Sequence, residues 1–315
     1  MDFLIYSDKD EGAYELLSKA VDLGGKVKAA VFGDNAQERA KGYIHNGAET
    51  VYFSHDPALK EITGDKYASA LAQLVKQHNI HAVMIYGSKR GKEISSMLAQ
   101  KLDAGCANDI IDIRVTGNDI ETDRYTLGGN TITTESIVSP VKVISVMPYA
   151  FQKKAPNQLK TGEVHEAKLA LPADKTKLLQ KIEKKGETVR LEDADVLLCV
   201  GKGFTKKEDL EIAYSFAKAV KAEIGVTRQL ATDFGWFSEE RIVGLSGRKT
   251  SPKLYFSVGI SGQIQHTVGI MRSKVIVSIN KNPDAPIFKI SDYGIVGDLF
   301  KVLPKLTERI NKVMA

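Results

Sequence analysis

Val258-Gly259-Ile260-Ser261-Gly262-Gln263-Ile264-Gln265-His266 decides how the C-terminal part of this chain is read. It continues an apolar strand, Leu254-Tyr255-Phe256-Ser257-Val258. One glycine closes the strand and a second follows three residues later. Glycine lets the backbone turn tightly and come close to a ligand. Ser261 and the N–H groups after it are expected to open a helix, where unpaired donors and the positive dipole end attract an anion. Gln265 and His266 add polar side chains about one turn on. A strand–turn–helix of this kind holds a pyrophosphate and the sugar or ring joined to it. Gly and Ser are also common in an ordinary strand-to-helix turn, so the run by itself leaves both readings open.

Similar groups fall at the expected carboxyl ends of the neighbouring strands. Strand Val196–Val200 runs into Gly201-Lys202-Gly203-Phe204, Glu223–Val226 into Thr227-Arg228, and Val275–Ile279 into Asn280. Val243-Gly244-Leu245-Ser246-Gly247 adds a hydroxyl between glycines near the same edge. Lys207–Lys221 reads as a helix, Ile287–Ile290 as a further strand, and about Gly297 to Val313 as the last helix. The unit beginning at Ala194 is therefore doubly wound α/β, with its ligand where loops leave the carboxyl ends of the strands. Convergence of these groups on one sheet edge favours a nucleotide site. Asp298, in the first turn of the last helix, is favourable there by the helix dipole alone. It is equally placed for a ribose or adenosine contact.

The first half alternates apolar strands, Phe3–Tyr6, Val27–Phe32, Thr50–Phe53 and Ala82–Tyr86, with helices such as Tyr14–Val21, Tyr67–His78 and Lys92–Leu102. Alternation of this kind implies βαβ crossovers and a mainly parallel sheet. Ile110–Val115, Thr131–Thr134 and Val141–Val146 follow without clear helices between them and read as an antiparallel extension. Phe151–Arg190 is lysine-rich, contains Pro156 and Pro172, and reads as a connector, with a strand at Glu163–Leu169 and a short helix after Leu178. The fold class is thus α/β: a mainly parallel N-terminal domain with connector, residues 1–190, and a doubly wound domain, residues 191–315.

Composition narrows the partners. The 315 residues carry 44 basic and 39 acidic side chains, a net charge of +5 without clustering, which argues against nucleic acid. Cys106 and Cys199 build no disulfide framework, which fits a reducing, cytoplasmic setting. Met1–Asp8 reads as a first strand rather than a signal or transit peptide, and no apolar run reaches the roughly 20 residues of a membrane span. Gly247-Arg248-Lys249-Thr250 looks like the tail of a phosphate-binding Walker loop, but Ile242 stands where that loop needs its first glycine. No GxGxxG opens the first domain. His78 and His81 lack acidic or cysteine companions for a metal. Cys199, inside an apolar strand, reads as a buried, inert thiol.

These segments together carry a resemblance. Val243–Gly247, Ser251-Pro252-Lys253-Leu254-Tyr255 and Val258–His266 are similar to the FAD domain of electron transfer flavoprotein alpha subunits, and so are Ile279-Asn280-Lys281-Asn282-Pro283-Asp284-Ala285-Pro286-Ile287-Phe288 and Asp292–Phe300. The likeness runs from about residue 195 to the end; the first domain resembles the family more loosely. It implies an FAD-holding heterodimer with a beta subunit. It also implies electron transfer from soluble dehydrogenases, as in fatty-acid β-oxidation, to a membrane-associated quinone oxidoreductase or other acceptor. The chain would be an electron carrier rather than an enzyme with its own substrate. The alternatives are a flavin-dependent oxidoreductase with its own small substrate and a bifurcating relative.

Carried over by position, the resemblance puts Arg228 against the isoalloxazine ring with Thr227 beside it, and the Ser246 hydroxyl near N5. His266 falls on the O2 side. Val243, Gly244 and Leu245 lead into Ser246. Ser261, Gly262, Gln263, Ile264 and Gln265 wrap the ribityl-pyrophosphate region, and Asn280, Asp298 and Leu299 meet the adenosine half. Lys202 stands where the family often has arginine, which keeps the charge but loses the fork. Leu245 stands where many relatives have glutamine. Arg228 and His266 are expected to tune the cofactor by stabilising negative charge over N1 and O2. The FAD domain is expected to be tethered flexibly through the connector before Val196.

Overall fold

The computed structural model describes residues 1–60, 63–173, 179–180 and 191–314. Their contacts divide into two compact units, one holding Met1–Leu127 and the described residues from Thr131 to 180, the other Gly128–Asn130 and the described residues from 191 on.

The N-terminal unit is built on one sheet ordered β7-β6-β5-β8-β4-β1-β2-β3-β9. Its parallel centre comprises β1 (Asp2–Tyr6), β2 (Lys26–Phe32), β3 (Thr50–Ser54) and β4 (Ala82–Tyr86). The crossovers run through helices α1 (Asp10–Asp22), α2 (Ala36–His45), α3 (Gly64–Gln77) and α4 (Lys89–Leu102). Every residue of β4 is buried, as in a sheet covered on both faces. One core gathers Phe3, Ile5, Leu16, Leu17 and Tyr43, and the other gathers Leu4, Tyr6, Leu71, Leu74 and Ile94. Strand alternation sends Phe3 and Leu4 to opposite faces.

The antiparallel extension is real but has a different composition. It comprises β5 (Gly105–Thr116), β6 (Asp119–Thr126) and β7 (Thr131–Ile137). Strand β8 (Lys142–Val146), expected as part of it, instead pairs parallel with both β4 and β5. Its five residues are all buried, so it belongs in the covered centre of the sheet. Strand β6 has too many charges to stand out as apolar. Across it, Arg114 holds the Asp123 carboxylate with two bonds, at 2.7 and 2.8 Å.

Much of the connector is bound to this unit. Lys154 N–H donates to Ser18 Oγ at 3.0 Å and Asn157 N–H to the His45 carbonyl at 2.8 Å. Strand β9 (Glu163–Glu166) adds in parallel to β3, so the strand expected to Leu169 is shorter. Ala167, Leu169 and Leu171 then pack on the second core. The short helix expected after Leu178 lies outside the described residues. The loop ahead of the connector is held by a buried carboxylate. Glu15 accepts from Tyr149 N–H at 3.1 Å and from Phe151 N–H at 3.0 Å, and Tyr149 sits at φ +62°. Replacing Glu15 with alanine is expected to cost about 3 kcal/mol locally, roughly a hundredfold faster amide exchange at Tyr149 and Phe151. Hydrogen exchange read by NMR checks this.

The C-terminal unit has a five-stranded parallel sheet ordered β11-β10-β12-β13-β14. Its strands are β10 (Val196–Val200), β11 (Glu223–Val226), β12 (Leu254–Val258), β13 (Ile276–Asn280) and β14 (Tyr293–Val296). Helices α5 (Glu211–Val220) and α8 (Leu299–Met314) share one core with Leu198, Val200, Phe256 and Val258. The opposite face carries Leu197, Cys199, Tyr255, Ile260, Ile270 and Ile287. The strand expected at Ile287–Ile290 is a 3-10 turn, Pro286–Ile290, opened by a proline that has no N–H for a ladder. The sheet ends at β11 on one side and, on the other, at the short β14, whose residues are mostly exposed.

Candidate functional site

The chain leaves β10 first toward β11 and then crosses back to β12, so the order of the sheet reverses between β10 and β12. A ligand crevice is expected outside the carboxyl ends of the strands at such a point. A cavity of about 920 Å³ lies there. That is the upper part of the roughly 300–1,000 Å³ typical of ligand sites.

The loops after all five strands contribute to its wall. Of the expected residues, Lys202, Thr227, Arg228, Val243, Gly244, Leu245, Ser246, Ser261, Gln263, Gln265, His266, Asn280, Asp298 and Leu299 line it. Gly262 and Ile264 do not. Gly259 and Ile260, part of the run singled out in the sequence, also line it; Gly203, Thr205, Gln229, Ile242, Lys281, Gly297 and Phe300 line it without having stood out as ligands. Most of these adjoin a residue that did, so position next to a polar anchor is the available signal. Phe300 has none beyond its place one step after Leu299.

Gly262 matters for the path of the chain. It stands at φ +83°, and a Cβ there would lie 2.2 Å from the Ile287 backbone nitrogen. Helix α7 spans only Ile264–Thr267, not a helix opening at Ser261. The Ser261 carbonyl instead accepts from Ile287 N–H at 3.0 Å, which ties this loop to the Pro286–Ile290 turn. Gly244 lets the neighbouring loop approach. At φ +141° its Cβ would meet the Gln265 carbonyl at 2.5 Å, and Leu245 N–H donates to that carbonyl at 2.6 Å.

Arg228 opens the short helix α6 (Arg228–Thr232), and its Nε donates to Ser246 Oγ at 3.1 Å. Thr227 Oγ1 is buried without a partner, an orphaned hydroxyl in the cavity wall. Three other expected ligands hydrogen-bond within the protein. Asn280 Nδ2 donates to the Ile260 carbonyl at 2.7 Å, and its Oδ1 accepts from Asn282 N–H at 2.9 Å. Asp298 Oδ1 accepts from Phe300 N–H at 3.0 Å and caps α8. His266 Nδ1 lies 3.1 Å from the Val243 carbonyl and Nε2 lies 2.8 Å from the Tyr255 hydroxyl.

Burial holds the His266 imidazole far below its ordinary range, at about 4, against a smaller opposing effect of the Val243 carbonyl. Below the unfolded value of about 6.5 the unfolded chain therefore binds a proton that the folded chain refuses. Stability contributed here is lost as pH falls from 6.5 toward 4. Between pH 7 and pH 5 the expected loss is about 2 kcal/mol, absent in His266→Gln. Urea unfolding at the two pH values measures the difference.

The wall suits a long anionic ligand with an aromatic ring. Arg228, Lys202 and Lys281 supply positive charge against the one carboxylate of Asp298, and Ile242, Val243, Ile260, Leu299 and Phe300 supply apolar surface. The free Thr227 hydroxyl and the close backbones at Gly244 and Gly259 complete the cradle. The residues present thus fit a flavin dinucleotide. Among the described residues no group of three or more His, Cys, Asp or Glu is placed to hold a metal ion. His78 stacks on Tyr52 at 4.1 Å, and His81 Nδ1 accepts from Asp2 N–H. Among the described residues no helix is long and apolar enough to cross a membrane.

Known proteins match along nearly the whole chain. Residues 10–172 match the electron transfer flavoprotein domain, and residues 190–271 the electron transfer flavoprotein FAD-binding domain. The electron transfer flavoprotein subunit alpha of Bacillus subtilis is 34% identical over 92% of this chain and 89% of its own length. That of Thermoanaerobacterium thermosaccharolyticum is 34% identical over 99% and 98%. Protein FixB of Salmonella typhimurium is 34% identical over 96% of both chains. The cavity therefore lies in a unit that matches an FAD-binding domain by sequence and by the chemistry of its wall, and the chain belongs to the electron transfer flavoprotein family as an alpha subunit.

Proposed function

We propose that the C-terminal cavity holds FAD and that this chain carries electrons as the alpha half of a heterodimer with a beta subunit. Soluble dehydrogenases would supply the electrons, and a quinone oxidoreductase or an equivalent acceptor would take them, in the cytoplasm and in pathways such as fatty-acid β-oxidation. Residues 191–315 would be the FAD domain and residues 1–190 the domain that meets the beta subunit. The observation that carries the reading is the cationic, apolar-walled cavity of about 920 Å³ at the sheet reversal.

When bound, FAD supplies the acceptance of electrons one at a time. The chain's own residues bind and bias it. Arg228, steadied by Ser246, would set a fixed positive charge beside the ring. The unpaired Thr227 hydroxyl would meet a polar ring or ribityl atom. Ser261, Gln263 and Gln265 would carry the ribityl-pyrophosphate stretch, with Lys202 and Lys281 as point charges for the phosphates. Leu299 and Asp298 would border the adenosine. Asn280 would act by fixing the Ile260 carbonyl and the 280–282 turn. Gly262 and Ile264 would act through the backbone path. The test is co-expression with the beta subunit, followed by an absorption spectrum and a cofactor count. A flavin spectrum with FAD released on denaturation is expected; a colourless complex that refuses added FAD ends the proposal.

A further inference from the structure

Behind the cavity wall lies a chain of buried polar groups that the assignment above leaves without a task. Tyr255 and Cys199 are both fully buried. The Tyr255 hydroxyl lies 2.8 Å from His266 Nε2, and Cys199, diagonal to Tyr255 on the neighbouring strand β10, shares its buried face. On the far side of the ring, His266 Nδ1 lies 3.1 Å from the Val243 carbonyl. A carbonyl only accepts, so Nδ1 carries the proton. In the neutral ring Nε2 is then bare and accepts from the Tyr255 O–H. The phenol oxygen keeps a lone pair on the side of the Cys199 thiol. Both ring nitrogens are thereby paired.

The same row is also complete in the opposite sense. If Nε2 gains a proton, Nε2–H donates to the Tyr255 oxygen and the Tyr255 O–H turns to the Cys199 sulfur. We propose that Tyr255 is the positioning residue of the site, pairing the bare Nε2 of a ring whose tautomer the Val243 carbonyl sets and, by reversing toward Cys199, letting Nε2 take one proton from water without a stranded donor. No electron moves and no bond between heavy atoms changes; the imidazole gains one proton. A neutral His266 offers no N–H to the cavity, which departs from a simple donor to the flavin. Its use, though not its chemistry, rests on the FAD reading: negative charge gained in the cavity draws a proton onto the ring.

The charged and titratable groups near the ring are few. Tyr255 faces it from β12 with Cys199 of β10 behind, and Arg228, Lys202, Lys281 and Asp298 line the same cavity. The cluster around Tyr255 is otherwise apolar, with Val243, Ile260 and Ile270. Burial disfavours the charged ring and the Val243 carbonyl favours it, so an acceptor for Nε2–H is the remaining requirement for a charged ring with no stranded donor.

The test uses the full chain labelled with 15N at histidine, with nitrogen shifts followed from pH 7 to 4. At pH 7 the wild type is expected to show a protonated Nδ1 and a bare, hydrogen-bonded Nε2. In Tyr255→Phe the Nε2 shift moves to that of an unpaired nitrogen. The charged ring would then lack an acceptor, and a stranded charged donor costs more than a stranded lone pair. The charged fraction at pH 4 should therefore fall from about half to about a tenth. Cys199→Ala should lower that fraction in part and Cys199→Ser should restore it, so these variants decide the matter if the phenylalanine chain fails to fold. An Nε2–H tautomer at pH 7, or titration unchanged in both Tyr255→Phe and Cys199→Ala, overturns the proposal. With FAD bound and then reduced by dithionite, the wild-type midpoint should rise; a midpoint that stays put removes the proposed use. Failure to bind FAD would count against the cofactor assignment, whereas titration of the chain without FAD decides the role of Tyr255 independently.

Discussion

Replacing Arg228 with alanine is expected to lower the potential at which bound FAD takes its first electron by about 60–130 mV. The size follows from a charge-assisted hydrogen bond of about 1.5–3 kcal/mol, with about 1.4 kcal/mol equal to 59 mV for one electron. Arg228 is exposed in the structure, so water screens part of its field, and the lower end of the range applies unless the ring covers it. Ser246 Oγ holds the guanidinium at Nε and limits the ways it can swing away from the cavity. Ser246→Ala should therefore move the potential in the same direction by less. Arg228→Lys keeps a charge but loses the planar fork, and falls between wild type and alanine. Because His266 is neutral and donates to the Val243 carbonyl, Arg228 is the fixed positive charge of this pair. Potentiometric titration of the heterodimer measures all three variants. An alanine chain with an unchanged potential would remove Arg228 from the role.

The second large effect concerns Gly262. An alanine there faces two penalties at once. Its φ of +83° costs a side-chain-bearing residue about 1–3 kcal/mol. Its Cβ would also sit 2.2 Å from the nitrogen and 2.3 Å from the Cα of Ile287, backbone atoms that move only if the Pro286–Ile290 turn moves. Overpacking of that kind adds about 1–3 kcal/mol. The sum is a large share of the roughly 5–15 kcal/mol that holds a domain together. Gly262→Ala is therefore expected to lose FAD and to unfold the C-terminal unit at much lower denaturant. Urea unfolding with and without FAD reads both. A variant that keeps the cofactor and the wild-type midpoint would show that the turn can shift at little cost.

Much of this architecture is written in local pattern. Alternating apolar strands and helices announce the parallel sheet, because a strand covered on both faces must be apolar along its length. The glycines at 244, 259 and 262 announce close backbone approach, because no other residue holds those conformations freely. Arg228, Ser246 and the run from 258 to 266 are legible for the same reason: polar groups at the carboxyl ends of parallel strands have few other tasks. Strand β6 is not legible because its charges are paired across the sheet, as Arg114 with Asp123, and not with sequence neighbours. Strand β14 escapes the same reading because it is only four residues long and contains a glycine, which weakens a strand pattern. The placement of β8 between β4 and β5 depends on partners far away in the chain.

Short-range spacing is enough to specify the class of fold, the edge of the sheet where a ligand belongs, and the family. Which polar atoms remain free for that ligand is settled in three dimensions alone. Asn280, Asp298 and His266 look alike as candidates in a one-dimensional reading. Folding gives each of them a partner, the Ile260 carbonyl, the Phe300 amide and the Tyr255 hydroxyl, while it leaves the Thr227 hydroxyl with none. Hydrogen bonding is a matter of a few ångströms in space, and separation along the chain does not record it.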